Sequence, residues 1–190
     1  MNKTEEKLSF WDSICGFALK LFGIVLLADF LAQIFMFVFG SIVPLLGDFL
    51  TDFLIAGMGI LIYITSVYQV AWKKGFRDLG LVSRSVTVYS PIKGLLAGLI
   101  ACIPGAISYV FLLTTTGTAK TIAKYVFAVL HSYGYLLIDL LYKQGSVGLW
   151  LTALFLIPLP VIAFLGYPMG YKNILVTKVL MYGKNGLSEK

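Results

Sequence analysis

The chain has 190 residues, of which 59% are hydrophobic and 13% are charged. Soluble domains carry roughly 25% charged residues, so this composition excludes a domain with an ordinary water-facing surface. The net charge of +6 does not indicate nucleic-acid binding, because no basic run outside the apolar stretches is interleaved with stacking aromatic residues. We therefore predict an all-α, polytopic integral membrane protein that forms a single transmembrane domain over residues 1–190.

Four apolar stretches are each long enough to cross the hydrocarbon core of a bilayer, which takes about 20 helical residues. Lys20, close to the start of the first stretch, can extend its ammonium group to the headgroups. Pro158 and Pro160 should kink or break the last stretch. The first apolar run is longer than the core of a cleavable signal peptide, so we expect no such peptide. The predicted spans are residues 14–39, 49–70, 92–113 and 147–167.

Basic residues are distributed unevenly between the connections. The longest polar interruption, residues 72–93, carries five of them, whereas the first connection, residues 40–48, has none. Lysines also occur in the first ten residues and after Gly170. Because Lys and Arg are concentrated on the cytoplasmic side of membrane proteins, we predict both termini in the cytoplasm and an even number of spans.

Residues 120–143 are ambiguous, because a fifth span there would place the basic C-terminal tail outside. At 100° per residue, the charged and polar side chains of this stretch share one face and its leucines occupy the other. This pattern is typical of a helix that lies in the membrane interface. We predict an amphipathic helix in the outer interface, with a re-entrant or spanning segment as the alternative.

Asp29 is the most informative single residue. It follows Lys20 by about 13 Å of helix, which places its carboxyl group near the middle of the bilayer, where acids are costly and usually functional. Gln33 lies one turn further on the same face. We predict a polar pocket that contains Asp29 and Gln33 and binds an ion, a proton or a solute. The alternative is that Asp29 only fixes helix packing.

The third span contains small residues at helical spacing. Gly94 and Gly98 form one ridge, and Ala97 and Ala101 form a second. Such ridges allow helix backbones to approach closely. We therefore predict that this helix packs at the centre of the bundle or at a subunit interface.

A short motif occurs twice, each time at the cytoplasmic end of a predicted two-span hairpin. Glycine, an aromatic residue, a cation and Asp or Asn follow one another in both copies. The repeat is explained either by duplication of a hairpin or by the common preferences of helix ends. We predict that it docks a cytoplasmic or membrane partner through Gly75, Phe76, Arg77 and Asp78, and through Gly170, Tyr171, Lys172 and Asn173.

Catalytic and metal-binding patterns are missing from the sequence. Cys15 and Cys102 are far apart, His131 is the only histidine, and zinc needs three or four ligands. No phosphate loop, nucleophile elbow or His-Glu-x-x-His motif occurs. We therefore predict no catalytic residues, metal or cofactor, although an intramembrane enzyme stays open. His131 should lie in solvent on the polar face of the interfacial helix.

Three segments resemble a loose group of small multi-pass bacterial membrane proteins: WKKGFRDLGLV at 72–82, IKGLLAGLIACIP at 92–104 and GYPMGYKN at 166–173. The chain departs from the pattern of that group at 82–84 and 90–92, where the group carries a Gly-Arg pair and an acidic residue. No activity is assigned to the group, so the resemblance implies the fold class and a location in the bacterial plasma membrane, and it implies no site residues.

Two function hypotheses follow from these features. The first is a small non-enzymatic subunit or accessory of a membrane transport system that uses the pocket at Asp29 and Gln33. The second is a membrane interaction protein, such as an immunity or assembly factor, that acts through helix packing. The expected partners are the lipid bilayer and a membrane protein or a second copy of the chain, and not nucleic acid.

Overall fold

The computed structural model describes residues 10–42, 48–86 and 88–174, and all of its regular elements are helices. Two short 3₁₀ turns, Ser132–Gly134 and Thr152–Leu156, interrupt the later part of the chain. The helices are α1 (Phe10–Ile42), α2 (Asp48–Ser83), α3 (Lys93–Ala101), α4 (Ile103–Thr114), α5 (Gly117–Leu130), α6 (Tyr135–Lys143), α7 (Ser146–Leu151) and α8 (Pro158–Tyr171).

Three helical segments of the described chain are long and apolar enough to cross a membrane: Phe10–Phe39, Phe53–Ser83 and Ser146–Tyr171. The number rises to four if α3 and α4, which are bent by 43° at Cys102, count as one broken span. Pro104 lies in the first turn of α4 and has no N–H for the preceding turn, which accounts for the break. Many large apolar side chains on these helices are exposed, as expected of a membrane protein.

The second helix is longer than predicted. The sequence indicated a span over residues 49–70 and a loop from Trp72, but α2 continues to Ser83. The polar residues of this extension are tolerated because Lys74 and Asp78, one turn apart, form an ion pair of 2.8 Å on the buried face of the helix. Such pairs at a spacing of four residues also favour the helix itself.

Residues 120–143 do not form the single helix that was predicted. α5 ends at Leu130 and α6 begins at Tyr135, with the 3₁₀ turn between them. This turn packs against α1 and α2. The ring of Tyr133 stacks on that of Tyr63, with 4.0 Å between their centroids. Helical periodicity cannot reveal such a break, because the two halves keep similar apolar faces on either side of it.

A bundle of α1, α2, α3 and α8 forms the core, and the interface between α2 and α8 is its largest. A Cβ atom on Gly75 would overlap the carbonyl oxygen of Tyr167, and a Cβ atom on Gly170 would overlap that of Trp72. The two glycines are equivalent residues of the repeated motif. The contact is therefore reciprocal: the glycine of each copy of the motif lies against a backbone carbonyl group of the other helix.

The small residues of α3 pack inside the same bundle. A Cβ atom on Gly94 would overlap the carbonyl oxygen of Ala163, and one on Gly98 would lie 2.6 Å from the Cα atom of Pro160. Pro160 and Ala163 of α8 therefore approach the α3 backbone directly. Ala97 and Ala101 are buried in the core as well. This ridge thus contacts α8 of the same chain.

Candidate functional site

Asp29 is buried in the middle of α1, with 3% of its surface exposed. The hydroxyl group of Ser132 donates to the carbonyl oxygen of Asp29 at 2.8 Å and to its Oδ1 at 3.1 Å. The backbone amides of Ser132 and Tyr133 also face the carboxyl group. Oδ2, in contrast, is the one buried side-chain polar atom without a hydrogen-bond partner among the described residues. A buried polar atom of this kind is costly unless something binds to it.

The turn that holds Asp29 is fixed from several sides. The Tyr133 hydroxyl donates to the carbonyl oxygen of Phe155 at 2.7 Å. A Cβ atom on Gly59 of α2 would lie 3.3 Å from the backbone of Tyr133, and one on Gly134 would overlap the ring of Phe155. These close approaches place the Ser132 hydroxyl at a defined position beside Asp29. The position of Ser132 relative to Asp29 is therefore determined by the packing of the turn.

A cavity of about 20 Å³ lies next to this site, where Val25 of α1 meets His131 and Tyr63. It is large enough for one water molecule, which requires roughly 10–15 Å³. Tyr63, Cys102 and His131 are among the residues that line it. Val25 precedes Asp29 by one helical turn, so this cavity lies one turn from the buried carboxyl group.

Gln33 lies apart from Asp29 in a groove of about 460 Å³. Phe30, Ile34 and Val129 form apolar parts of its wall. Ser132 also lines this groove, so its hydroxyl group lies between the groove and the Asp29 carboxyl group. The predicted pair of Asp29 and Gln33 is thus separated into a buried acid and a groove residue, with Ser132 as the link.

A second buried acid, Asp78 of α2, lies near the start of α1, where Lys74 contacts Ser13. We call this end of the bundle the basic end, because Lys74 and Lys93 lie there. Both lysines donate to Asp78, Lys74 to Oδ1 at 2.8 Å and Lys93 to Oδ2 at 3.1 Å. The Tyr167 hydroxyl donates to Oδ2 at 2.9 Å, and Lys74 also donates to the hydroxyl of Ser13 at 3.0 Å. This network, the Asp78 cluster, joins α1, α2, α3 and α8.

The residues of the repeated motif divide into two groups. Gly75, Asp78 and Gly170 are buried, so they contact other helices of the same chain. Tyr171 is half-buried and stacks on Tyr89 with 3.8 Å between the ring centroids. The remaining four are exposed at the basic end: Phe76, Arg77, Lys172 and Asn173.

His131 is buried, contrary to its predicted position in solvent. Only 7% of its surface is exposed, its Nδ1 lies 3.0 Å from the carbonyl oxygen of Phe127, and its ring stacks on that of Phe127. The break before the 3₁₀ turn moves it from the polar face into the protein. Within residues 10–42, 48–86 and 88–174, no three His, Cys, Asp or Glu side chains lie close enough to hold a metal ion.

Sequence reasoning missed the partners of both acids. Lys74 and Asp78 carried a usable signal, since their spacing of four residues predicts an ion pair on a helix. Lys93 and Tyr167 carried no such signal in the sequence, because they lie on α3 and α8 and contact Asp78 only in the folded bundle. Ser132 also carried none, because it meets Asp29 across more than half of the chain.

Comparison with models of known families, with curated proteins and with solved structures finds no match for this chain. Function is therefore inferred from the geometry alone.

Proposed function

We propose that this chain is a small non-enzymatic subunit or accessory of a membrane transport system, in which Asp29, Ser132 and Gln33 form the site for a proton or a small polar solute. The observation that carries the proposal is the unpartnered Oδ2 atom of Asp29. Oδ1 is already bonded to Ser132, which leaves Oδ2 as the atom that would receive a proton or the donor group of a solute. The groove at Gln33 and Ser132 is the route by which a solute would arrive.

The threading that accompanies this proposal has four crossings, by α1, by α2, by the bent pair of α3 and α4, and by the segment from α7 to α8. The basic end faces the cytoplasm of a bacterial plasma membrane, because Lys and Arg are concentrated on that side. α5 and α6 enter from the outer side, and the turn at Ser132 reaches the level of Asp29. Lys124 and Asp139, 2.6 Å apart, remain near the outer surface.

The test is a thermal-shift screen of the purified protein in detergent against classes of small polar solutes and cations. A ligand that binds only the folded state raises its stability in proportion to the logarithm of its concentration. We expect a solute that stabilises the wild-type protein and fails to stabilise Asp29→Asn or Ser132→Ala. Asp12→Asn, which changes an exposed acid of the same helix, is the matched control.

A proton as the only ligand is tested separately by infrared difference spectroscopy across a pH titration. We expect a carboxyl band that Asp29→Asn removes and Asp12→Asn preserves. If Asp29→Asn leaves both the titrating band and every solute effect unchanged, Asp29 is a packing residue and the proposed site is wrong.

A second candidate function, an interaction protein such as an immunity or assembly factor, is favoured by the exposed side chains of Phe76, Arg77, Lys172 and Asn173 at the basic end. A partner would contact this surface, since the Gly94 and Gly98 ridge already packs on α8. Replacing Phe76 and Arg77 with alanine should then abolish co-purification of a partner, while Asp29→Asn should not affect it. The opposite result would favour the transport role.

A further inference from the structure

A basic groove between α1 and α2 is separate from the Asp29 site. Its volume is about 500 Å³, and four cationic side chains line it: Lys20 from α1, and Lys73, Lys74 and Arg77 from α2. In the described part of the chain, Lys20, Lys73 and Arg77 form no ion pair. The groove therefore has an excess of positive charge that none of the residues described in the structure neutralises.

The nearest acid cannot supply the missing charge. Asp78 already accepts from Lys74, Lys93 and Tyr167. It thus pairs with Lys74, the one groove lysine that is buried, and within residues 10–42, 48–86 and 88–174 the other cations of the groove have no acidic partner. An anion that enters the groove would meet Lys20 on one wall and Lys73 and Arg77 on the other.

The other end of the groove is apolar. From Lys20 it continues along Gly23, Ile24 and Leu27 of α1 and past Val70 of α2. A Cβ atom on Gly23 would meet nothing within 4 Å, so the groove is open at this point. Cations at one end and an apolar channel that runs along the helices match the shape of a phospholipid, with its phosphate at the basic end and an acyl chain along Gly23 and Leu27.

From this geometry we infer that the groove between α1 and α2 binds an anionic phospholipid, with its phosphate held by Lys20, Lys73 and Arg77. Lys20 supports this assignment most strongly. It lies about 10 Å further along α1 than Ser13, whose hydroxyl group marks the level of Lys74. An ammonium group so far along a membrane-spanning helix requires a counter-charge or water, and the lipid phosphate supplies the counter-charge.

The experiment is native mass spectrometry of the protein, released from vesicles that contain equal amounts of phosphatidylglycerol and phosphatidylcholine. We expect phosphatidylglycerol to remain bound in preference to phosphatidylcholine. Each basic residue near a membrane contributes about fivefold in affinity for anionic lipid, so the triple change Lys20→Gln, Lys73→Gln and Arg77→Gln should weaken retention on the order of 100-fold. The matched control removes the same charge elsewhere, through Arg84→Gln, Lys120→Gln and Lys172→Gln, and should retain the lipid.

A second pair of variants tests the acyl channel without changing charge. Gly23→Leu fills the groove and should weaken retention of phosphatidylglycerol. Gly16→Leu should not, because Gly16 lies on the same helix in open space outside the groove. Circular dichroism and the thermal midpoint establish that each variant is folded.

Four results would overturn the inference. Equal loss of lipid in the two triple variants would mean that total charge, and not the groove, retains the lipid. Unchanged lipid retention by Gly23→Leu would show that the acyl chain does not lie in the groove. Displacement of the lipid by inorganic phosphate would indicate a site for a free anion, and a mass of two chains without lipid would indicate that a second copy occupies the groove.

Discussion

Asp29 and Asp78 are both buried acids in a chain with few charged residues, but their carboxyl groups differ in how fully they are bonded. Asp78 accepts hydrogen bonds at both oxygens, from two lysines and a tyrosine. Asp29 accepts at Oδ1, and its Oδ2 has no partner. A fully paired buried charge fixes the positions of the helices that supply its partners. An incompletely bonded carboxyl group leaves an atom available for binding, which is why we propose a binding role for Asp29 and a structural role for Asp78.

The strongest test of this difference is Asp78→Asn. The change leaves Lys74 and Lys93 buried without a counter-charge, and breaking such a pair from one side costs about 3–5 kcal/mol. We expect a large fall in the free energy of unfolding, measured with a denaturing detergent. Asp12→Asn should have almost no effect, and addition of Lys93→Gln to Asp78→Asn should restore part of the loss. Equal stability of Asp78→Asn and the wild-type protein would contradict the structural role.

A smaller effect is expected from Gly75→Ala and Gly170→Ala. In each variant the new methyl group would overlap a backbone carbonyl oxygen across the interface between α2 and α8, and overpacking of this kind costs about 1–3 kcal/mol. The two variants should be destabilised to a similar extent, since the contacts are reciprocal.

The control for this pair is Gly80→Ala, because a Cβ atom on Gly80 meets nothing within 4 Å. Replacing glycine with alanine inside a helix should stabilise the protein there by about 0.5–1 kcal/mol. The measurement is the thermal midpoint of unfolding of each of the three variants in detergent. Destabilisation by Gly80→Ala as well would mean that the effect is not specific to the interface with α8.

Ser132→Ala and Asp29→Asn should affect stability still less. Loss of the Ser132 hydrogen bond should cost about 0.5–1.5 kcal/mol, whereas Asn at position 29 retains the oxygen that accepts from Ser132. We therefore expect Asp29→Asn to unfold close to the wild-type protein while it loses solute or proton binding. A destabilisation as large as that of Asp78→Asn would show that the two acids do not differ in role.

The smallest effect concerns Asp139, a partly exposed acid outside the spanning helices. Its hydrogen bonds with Lys124 and Lys143, at 2.6 and 3.0 Å, hold the pKa of its carboxyl group below the ordinary value. The ion pairs therefore stabilise the folded state above the ordinary pKa of an aspartate, and this contribution is lost as the pH falls through the lowered pKa.

The measurement for Asp139 is the difference in thermal midpoint between the wild-type protein and Asp139→Asn as a function of pH. Pairs this close to the surface contribute up to about 1 kcal/mol. The difference should be present at neutral pH and should disappear in acid. A difference that grows as the pH falls would contradict the sign of the pKa shift.

The sequence was sufficient for properties that depend on local composition. The helical class and the apolar segments were predicted because a run of about 20 apolar residues has few other stable conformations in a bilayer. The break at Cys102 had a local signal in Pro104, and the change from α7 to α8 had one in Pro158.

Other features could not be predicted because they depend on contacts between distant segments. The second helix was predicted to end too early because Trp72–Ser83 contains four charged residues, which are typical of a loop outside the membrane. The sequence does not show that Lys93 and Tyr167 contact Asp78 and so allow this acid to be buried in the helix. The helix at 120–143 was predicted without a break because the 3₁₀ turn at Ser132 is fixed by α1, α2 and Phe155. The threading of the chain and the role of Asp29 stay predictions.

The Asp78 cluster has a consequence for the synthesis of the protein, because its members are completed in chain order. Lys74 and Asp78 are one turn apart on α2, so they can pair as soon as that helix forms. Lys93 follows with α3, and the Tyr167 hydroxyl arrives only with the last span. In an insertion intermediate that contains α2 and α3, both oxygens of Asp78 therefore already accept a hydrogen bond, one from Lys74 and one from Lys93. α8 then packs against these helices and adds the bond from Tyr167.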